Sequence, residues 1–379
     1  MNTQRLPATL LVLGAACIAS PATADLNSEL QVPPLAPEQR TLDDIHLWNG
    51  QVIIETVGDG ARFNVVSLET GSVTPLKCPG GARVFDLTES ASGSFALCKG
   101  SLGLRLFSVD EDRWSKMGLP KRFAENKWHR ICASSSTIFL LGKRTIYFRS
   151  VERGPWSKVR FIPANEEFRK TFPFAQHLLA TEDALYLGWD WGEWGGGLQK
   201  IRIVDHDGGK DFETVGTLTG EPVRGIVAKP DGTVWVATGL AHLSGREAGL
   251  LQDDDSGTTE LISQSNYRGS SGSFSLPGDT DISGLALGPR GFPYVAATAL
   301  GVFEVSNSGL AEVLRADLRI RYTLRELGST IGVGSSPQGM VVPDEGTIVL
   351  ATRSTGVLVF RRQIDGFDVR QILVPGDNP

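Results

Sequence analysis

Seven short apolar runs recur along this chain at a spacing that few folds can produce. VIIETVG centres on Ile54, SFALCKG on Leu97, TIFLLGK on Leu140 and ALYLGWD on Leu187. TVWVATG centres on Val236, PYVAATA on Ala296 and TIVLATR on Leu350. Their centres are 43, 43, 47, 49, 60 and 54 residues apart. Each run is rich in β-branched or aromatic residues, as strands are. Most follow a tight turn (SASG, SSS, TED, PDG, PRG, PDEG) and precede another strand, such as RFNVVSL, LRLFSV, TIYFRSV, LQKIRIV, VFEVS or VLVFRR. Several strands per unit at a period of roughly 40–50 residues mark a β-propeller. The expectation is therefore all-β: seven blades of four antiparallel strands. A β-sandwich does not explain seven similar units over this length.

Composition agrees. The chain has 44 glycines, scattered rather than periodic, and few helix-period runs. The N-terminus reads as a secretory signal peptide: Arg5, an apolar run from Leu6 to Ser20, then the small-x-small site Ala22-Thr23-Ala24. Cys17 raises lipidation, but Gly14 stands where an aliphatic residue is wanted. The expected organisation is a signal peptide over 1–24, an extension over 25–40 and a propeller over 41–379. No later segment has ~20 uninterrupted apolar residues, so no transmembrane segment is expected in the mature chain. The formal charge of −6 and the lack of a basic stripe argue against nucleic acid.

Some repeats resemble known propeller families. PDGTVWVATGLAHL is similar to the repeat of two-component-regulator sensor propellers, and LYLGWDWGEWGGGL has a similar glycine-rich ending. FSVDEDRWSKM and FRSVERGPWSKV resemble degenerate Asp-box (BNR) repeats of sialidase-like and photosystem-assembly-factor propellers. Ser108, Asp110 and Trp114, and Ser150, Gly154 and Trp156, keep parts of that pattern. The resemblance implies architecture and little about function, because these families share a fold and differ in activity.

In a four-stranded meander the a–b and c–d turns lie on one face, and the b–c and d–a connections on the other. The a–b and c–d turns here are tight and built of Gly, Asp and Ser, as hairpins require. The opposite face carries the long segments: NEEFRKTFPFAQH entering blade 4, GWDWGEWGGG in blade 4 and GLAHLSGREAG in blade 5. ISQSNYRGSSGSFSLPGDTD and RADLRIRYTLRELGSTIGVGSSPQ complete the set as the crossings into blades 6 and 7. Loops far longer than ~6 residues in a compact domain are usually functional or disordered. A binding face over blades 4 to 7 is the main functional expectation.

Its candidate residues combine aromatic faces with charge. Three of the eight tryptophans fall within six residues. Trp191 and Trp194 would be apolar anchors and Glu193 and Asp190 acceptors, whereas Trp189 could equally be core. His242, Arg246 and Glu247 belong to the blade 5 connection, and Tyr267 and Arg268 to the next crossing. Arg315, Arg319, Arg321 and Arg325, with Leu314, Leu318 and Tyr322 at helical spacing, suggest a short helix offering guanidinium groups to an anion. His177, near an inner strand, could line the channel. QDDDSG (Asp253, Asp255, Gly257) and DHDGG (Asp205, Asp207, Gly208) resemble fragments of calcium loops but lack the full ligand series, so neither a metal nor a cofactor is expected.

Cys78 and Cys98 are placed to form a disulfide on the long-loop face, compatible with an oxidising compartment; Cys132 reads as a buried thiol. No nucleophile elbow, HExxH, phosphate-cradling loop or CxxC pair occurs, so no catalytic residue is assigned. The expected function is an exported, periplasmic or secreted, non-catalytic scaffold for a protein partner or carbohydrate-like ligand. One alternative is a hydrolase or lyase acting on a glycan or lactone at the channel mouth. Asp190, Glu193, His242 or Glu247 would then be its acid–base groups. A periplasmic immunity or inhibitor protein is the other.

Overall fold

Strands buried against a sheet on each side must be apolar along their whole length, and the seven repeat centres are such strands. The computed structural model describes residues 42–374, except 57–61, 111–112, 121–122, 124–129, 143–144, 153, 161–174, 191–194, 207–208, 243–244, 266–268, 277–279, 307–308, 317, 319, 324–331, 336, 353–355 and 365. Seven antiparallel meanders form a ring. Their inner strands, a, are Leu42–Trp48, Arg83–Ser90, Arg130–Ala133, His177–Ala180, Val223–Ala228, Ile282–Leu287 and Pro337–Asp344. Every repeat centre lies in a second strand, b. Three of these strands, Thr137–Gly142, Pro293–Ala297 and Thr347–Thr352, are buried at every residue. The outer strand Gly209–Thr219 of blade 4 instead alternates between exposed and half-buried, since one face meets solvent.

The apolar residues divide into seven clusters, one between each pair of adjacent blades. The cluster between blades 7 and 1 closes the ring with Ile45, Ile54, Val341, Val349 and Val359. Fully burying one such side chain contributes roughly 1.5–3 kcal/mol. Above this seam, Arg361 and Arg370 of blade 7 donate to blade 1 carbonyls. Arg361 reaches Leu68 at 2.9 Å, and Arg370 reaches Glu69 at 2.7 Å and Thr70 at 2.8 Å. Gly71, at φ 75°, leaves the space that the Arg370 guanidinium fills.

Three expected long connections carry secondary structure. In blade 5, strands Val234–His242 and Gly245–Asp254 pair up to His242 opposite Gly245, so the expected loop is an extended hairpin. The crossing out of blade 5 adds a fifth strand, Gly269–Ser271. The crossing into blade 7 holds the hairpin Ile320–Thr323 and Gly332–Ser335, which replaces the expected helix. Leu314 and Leu318 are both fully buried against blades 6 and 7, but neither is helical. Their four-residue spacing comes from a strand end and the crossing beyond it, where Leu318 N–H donates to Thr298 O at 2.8 Å.

Cys78 and Cys98 form the expected disulfide, which ties the blade 1 to 2 crossing to strand b of blade 2. Cys132 is a buried free thiol whose pKa burial pushes up to about 12, so it is inert as a nucleophile. Polar clamps join blades as well. Asp253, 2 % exposed, accepts from Tyr186 Oη at 2.5 Å, Lys200 Nζ at 2.7 Å and Thr258 Oγ1 at 2.6 Å. These partners fix its oxygens between blades 4 and 5, so Asp253 of the calcium-loop likeness serves as an inter-blade clamp. Asp207 and Gly208 of the second likeness lie outside the described residues.

Asp253→Ala strands a half-buried ammonium and a buried phenol. It should destabilise by about 3–5 kcal/mol in denaturant titration, whereas Asp255→Ala on the adjoining turn should stay within about 0.5 kcal/mol. Equal effects of the two would remove the clamp.

Candidate functional site

Five inner strands share one irregularity near the long-loop face. Their register with strand b slips between Leu42 and Asp44, Val84 and Asp86, Val223 and Gly225, Ile282 and Gly284, and Pro337 and Gly339. A bulge bends a strand and re-aims the side chain beside it. Blades 5, 6 and 7 place glycine there. A Cβ on Gly225 would lie 2.9 Å from Leu285 Cβ, and one on Gly284 3.2 Å from Met340 Cβ. A Cβ on Gly339 would collide with the Asp44 carboxylate. Blades 1 and 2 place aspartate at the same point, so their carboxylates reach the channel.

Around this ring of bulges lies a cavity of about 470 Å³ along the central axis. Asp44, His46, Glu55, Asp86, Arg130, His177 and Arg224 line it. Most of the charges are paired between blades. Arg130 Nε donates to Asp86 Oδ2 at 3.0 Å, and its other nitrogens reach the carbonyls of Ala175 at 2.5 Å and Gln176 at 3.1 Å. Arg224 donates to Asp190 and to Gly239 O. Arg62 holds Glu55 at 2.5 Å.

Glu89, which also lines the cavity, accepts from Asn49 N at 2.6 Å, and the group around Asp44 is less well satisfied. Its Oδ1 accepts from Ile45 N at 2.7 Å. Its Oδ2 stands 3.9 Å from His46 Nε2 and 3.9 Å from His177 Nδ1, too far for hydrogen bonds. His46 Nε2 is buried with no hydrogen-bond partner, and Glu55 Oε2 is 3.7 Å from it. The Asp44 and Glu55 carboxylates therefore share one imidazole and cannot be further apart than twice the longer distance, in a concave site.

The two histidines are driven in opposite directions. Burial lowers both, but around His46 the Asp44, Glu55 and Asp86 carboxylates outweigh it, and its pKa stands above the ordinary value. At His177 burial prevails over Asp44 and Asp190, and the pKa is lowered. Burial also raises Glu55, yet His46 and Arg62 hold its carboxyl down at about 2. No group of three or more His, Cys, Asp or Glu suited to a metal ion occurs among the described residues.

Of the residues picked from sequence, His177 does line the channel. Trp189 is 5 % exposed and belongs to the core between blades 3 and 4, with the Gly197 backbone against its indole. The glycine run thus serves close packing: a Cβ on Gly196 would collide with Pro222 of blade 5. Asp190 closes strand b of blade 4 and pairs with Arg224. His242 ends a strand; Arg246 and Glu247 lie on the next, half-buried, with Ser265 Oγ 3.4 Å from Glu247. Arg315 is exposed on strand d of blade 6, and Arg321 is in the crossing hairpin. Trp191, Glu193, Trp194, Tyr267 and Arg268 lie outside the described residues. Asp44, His46, Glu55, Asp86, Arg130 and Arg224 were missed. Aligning inner strands would have found the aspartates, as LDD, VFD, VRG, ISG and PQG set Asp or Gly at one register position.

No protein-family model matches this chain, and no curated protein sequence matches it. Solved structures do. A catalytically inactive virginiamycin B lyase from Staphylococcus aureus, with quinupristin, is similar at TM-score 0.50 and 15 % identity, covering 87 % of this chain and 97 % of that one. YCF48 bound to D1 peptide gives TM-score 0.47 at 11 % identity, over 91 % of this chain and all of that one, 100 %. The extracellular domain of a putative hybrid two-component system, BT4673, from B. thetaiotaomicron gives 0.45 at 14 %, over 86 % of this chain and 38 % of that one. The lyase is a β-propeller, and at this identity the likeness is one of fold alone.

Because Asp44 raises both histidines, Asp44→Asn should lower the pKa of His46 and of His177. Imidazole proton shifts followed by NMR against pH read this directly. In linkage terms, the stability contributed by His46 is full below pH ~6.5 and is lost as pH rises through its higher folded value. An unchanged His46 titration in the variant would rule out this coupling.

Proposed function

We propose that this protein is an exported propeller that binds a small ligand in the mouth of its central channel, on the face carrying the long connections. The observation that carries this reading is the Asp44–His46–His177 group: three cavity-lining side chains, each imidazole set 3.9 Å from the carboxylate, without hydrogen bonds to one another, with His46 Nε2 buried and unpartnered. Buried polar groups in native structures are almost always hydrogen-bonded, so the exceptions point to an occupant. The cavity volume falls in the range of small-molecule sites. The connections of blades 4 to 7, with Trp191 and Trp194, would rim the mouth, and Arg246 and Arg321 would meet anionic groups of a partner or ligand. Export rests on the apolar N-terminal run and on the disulfide, which suits an oxidising compartment.

A thermal-shift screen of sugars, lactones and short peptides tests the site. A ligand at a hundred times its Kd should add about 2.7 kcal/mol, or about 4 °C for a chain of this length. The shift should vanish in an Asp44→Asn/His177→Gln variant that retains its fold. A ligand bound equally by that variant, yet lost on Trp191→Ala/Trp194→Ala, would move the site from the channel to the rim.

A second reading, hydrolysis or elimination on a glycan or lactone, has one observation in its favour. Two histidines displaced in opposite directions flank one carboxylate, the arrangement that separates a general acid from a general base. His177 would take a proton and His46 supply one, in place of His242 and Glu247. Turnover of an aryl ester or aryl glycoside should then show a bell-shaped pH profile that loses one limb in each His→Gln variant. Turnover indifferent to both substitutions would discard this chemistry.

A further inference from the structure

The cavity wall is sided. Its charged members all come from blades 1 to 5, and the last of them in chain order is Arg224. From Gly225 onward the wall is apolar: Ile226, Val227 and Ala228, then Leu285 to Leu287, then Gly339 to Val342. Among the described residues, blades 6 and 7 bring no polar side chain to the cavity. Most of the polar and charged members also gather at one end of the channel, although His46, Thr88 and Glu89 lie further along their strands. Asp44, Asp86, Arg130, His177 and Arg224 sit in the first halves of their strands, at the long-loop mouth. Ala228, Leu287 and Val342 lie towards the far ends of theirs.

The charges within the polar arc are also largely neutralised. Asp86 is matched by Arg130, Asp190 by Arg224 and Glu55 by Arg62. Asp44 faces two imidazoles, one of them favouring its cation. A polyanion would find every guanidinium here already paired. A fully polar ligand would leave half the wall uncovered.

Resting on the reading of the channel mouth as a ligand site, we infer that its ligand is a small uncharged amphipath. A hydrogen-bonding head would lie between Asp44 and His177, and an apolar portion would extend inward along Ile226, Leu285 and Met340. The head needs a donor for Asp44 Oδ2 and a second polar atom for His177 Nδ1, which stands 3.9 Å from that oxygen, as a hydroxyl or amide supplies. The apolar portion gains by covering wall that water serves poorly. An anionic head would face the Asp44 and Glu89 carboxylates while both lining guanidiniums are already paired, so an uncharged head costs less than an anionic one.

Octyl β-glucoside below its micellar concentration is a suitable probe, with glucose as the head alone and octyl sulfate as an anionic counterpart. Isothermal titration should give one-to-one binding of octyl glucoside, at least tenfold tighter than either comparison. Asp44→Asn and the milder lining change Ile226→Thr should each weaken it several-fold, with circular dichroism confirming the fold. Octyl sulfate binding as tightly, or no binding of octyl glucoside, would overturn the amphipath. Octyl glucoside binding undiminished in both variants would place it on exposed apolar residues such as Leu102 or Ile364, and would overturn it too. Glucose binding alone, sensitive to Asp44→Asn, would overturn the amphipathic class while leaving the channel-mouth site in place.

Discussion

Seven wedge-shaped sheets can share one axis only where their inner strands come closer together than ordinary side chains permit. This crowding at the hub shapes both the packing and the candidate site. In blades 5 to 7 the crowded position is glycine, and the residue after the bulge of the next blade fills the gap: Leu285 beside Gly225, Met340 beside Gly284, Ile45 beside Gly339. These contacts run strand to strand, so the apolar half of the channel is built by the same residues that hold the ring together. Asp44 occupies the equivalent point of blade 1, and its carboxylate is seated against the bare backbone of Gly339 across the closing seam. Ring closure therefore sets the position of the group that most needs a partner.

Charge follows from this geometry. An inner strand has one neighbour in its own sheet and faces the axis on its open edge, so its first residues sit where water is scarce but not absent. Arginines at or near the starts of blades 3 and 5 reach back to acids of the preceding blades and tie the mouth together. The attraction within such pairs is screened less than between exposed charges, and it offsets the hydration both partners lose. Asp44 has no guanidinium. It has two imidazoles at ion-pair distance, and imidazoles change charge near neutrality.

The fold was legible because second strands are sandwiched between blades. Runs such as TIFLLG and TIVLAT are apolar on both faces and stand out from any background. The site was not legible for the complementary reason. Inner strands such as RICA and HLLA are short, and each contributes one or two polar residues to a centre assembled from several blades. No spacing along the chain records that His46 and His177 approach the same carboxylate. Length alone made the blade 5 stretch read as a loop. GLAHLSGREAG contains turn-forming residues, yet most of it continues the ladder of blade 5 to His242. Leu314 and Leu318 imitate a helical stripe because both are drawn into one interface, and burial sets their spacing.

The two described ends of the tryptophan-rich segment share one explanation. Trp189 and the glycines from 195 to 197 are a packing device: the indole fills the interface of blades 3 and 4, and the glycines let the next strand pass over it and up to Pro222. That device also fixes Asp190, whose N–H donates to Gln176 Oε1 at 2.5 Å while its carboxylate holds Arg224. Arg224 and Gln176 both line the cavity. The aromatic anchor thus reaches the channel through the backbone it immobilises, not through its ring. Polar groups in a binding site must be held by packing before they can select a ligand, and here the packing begins one interface away from the wall it supports.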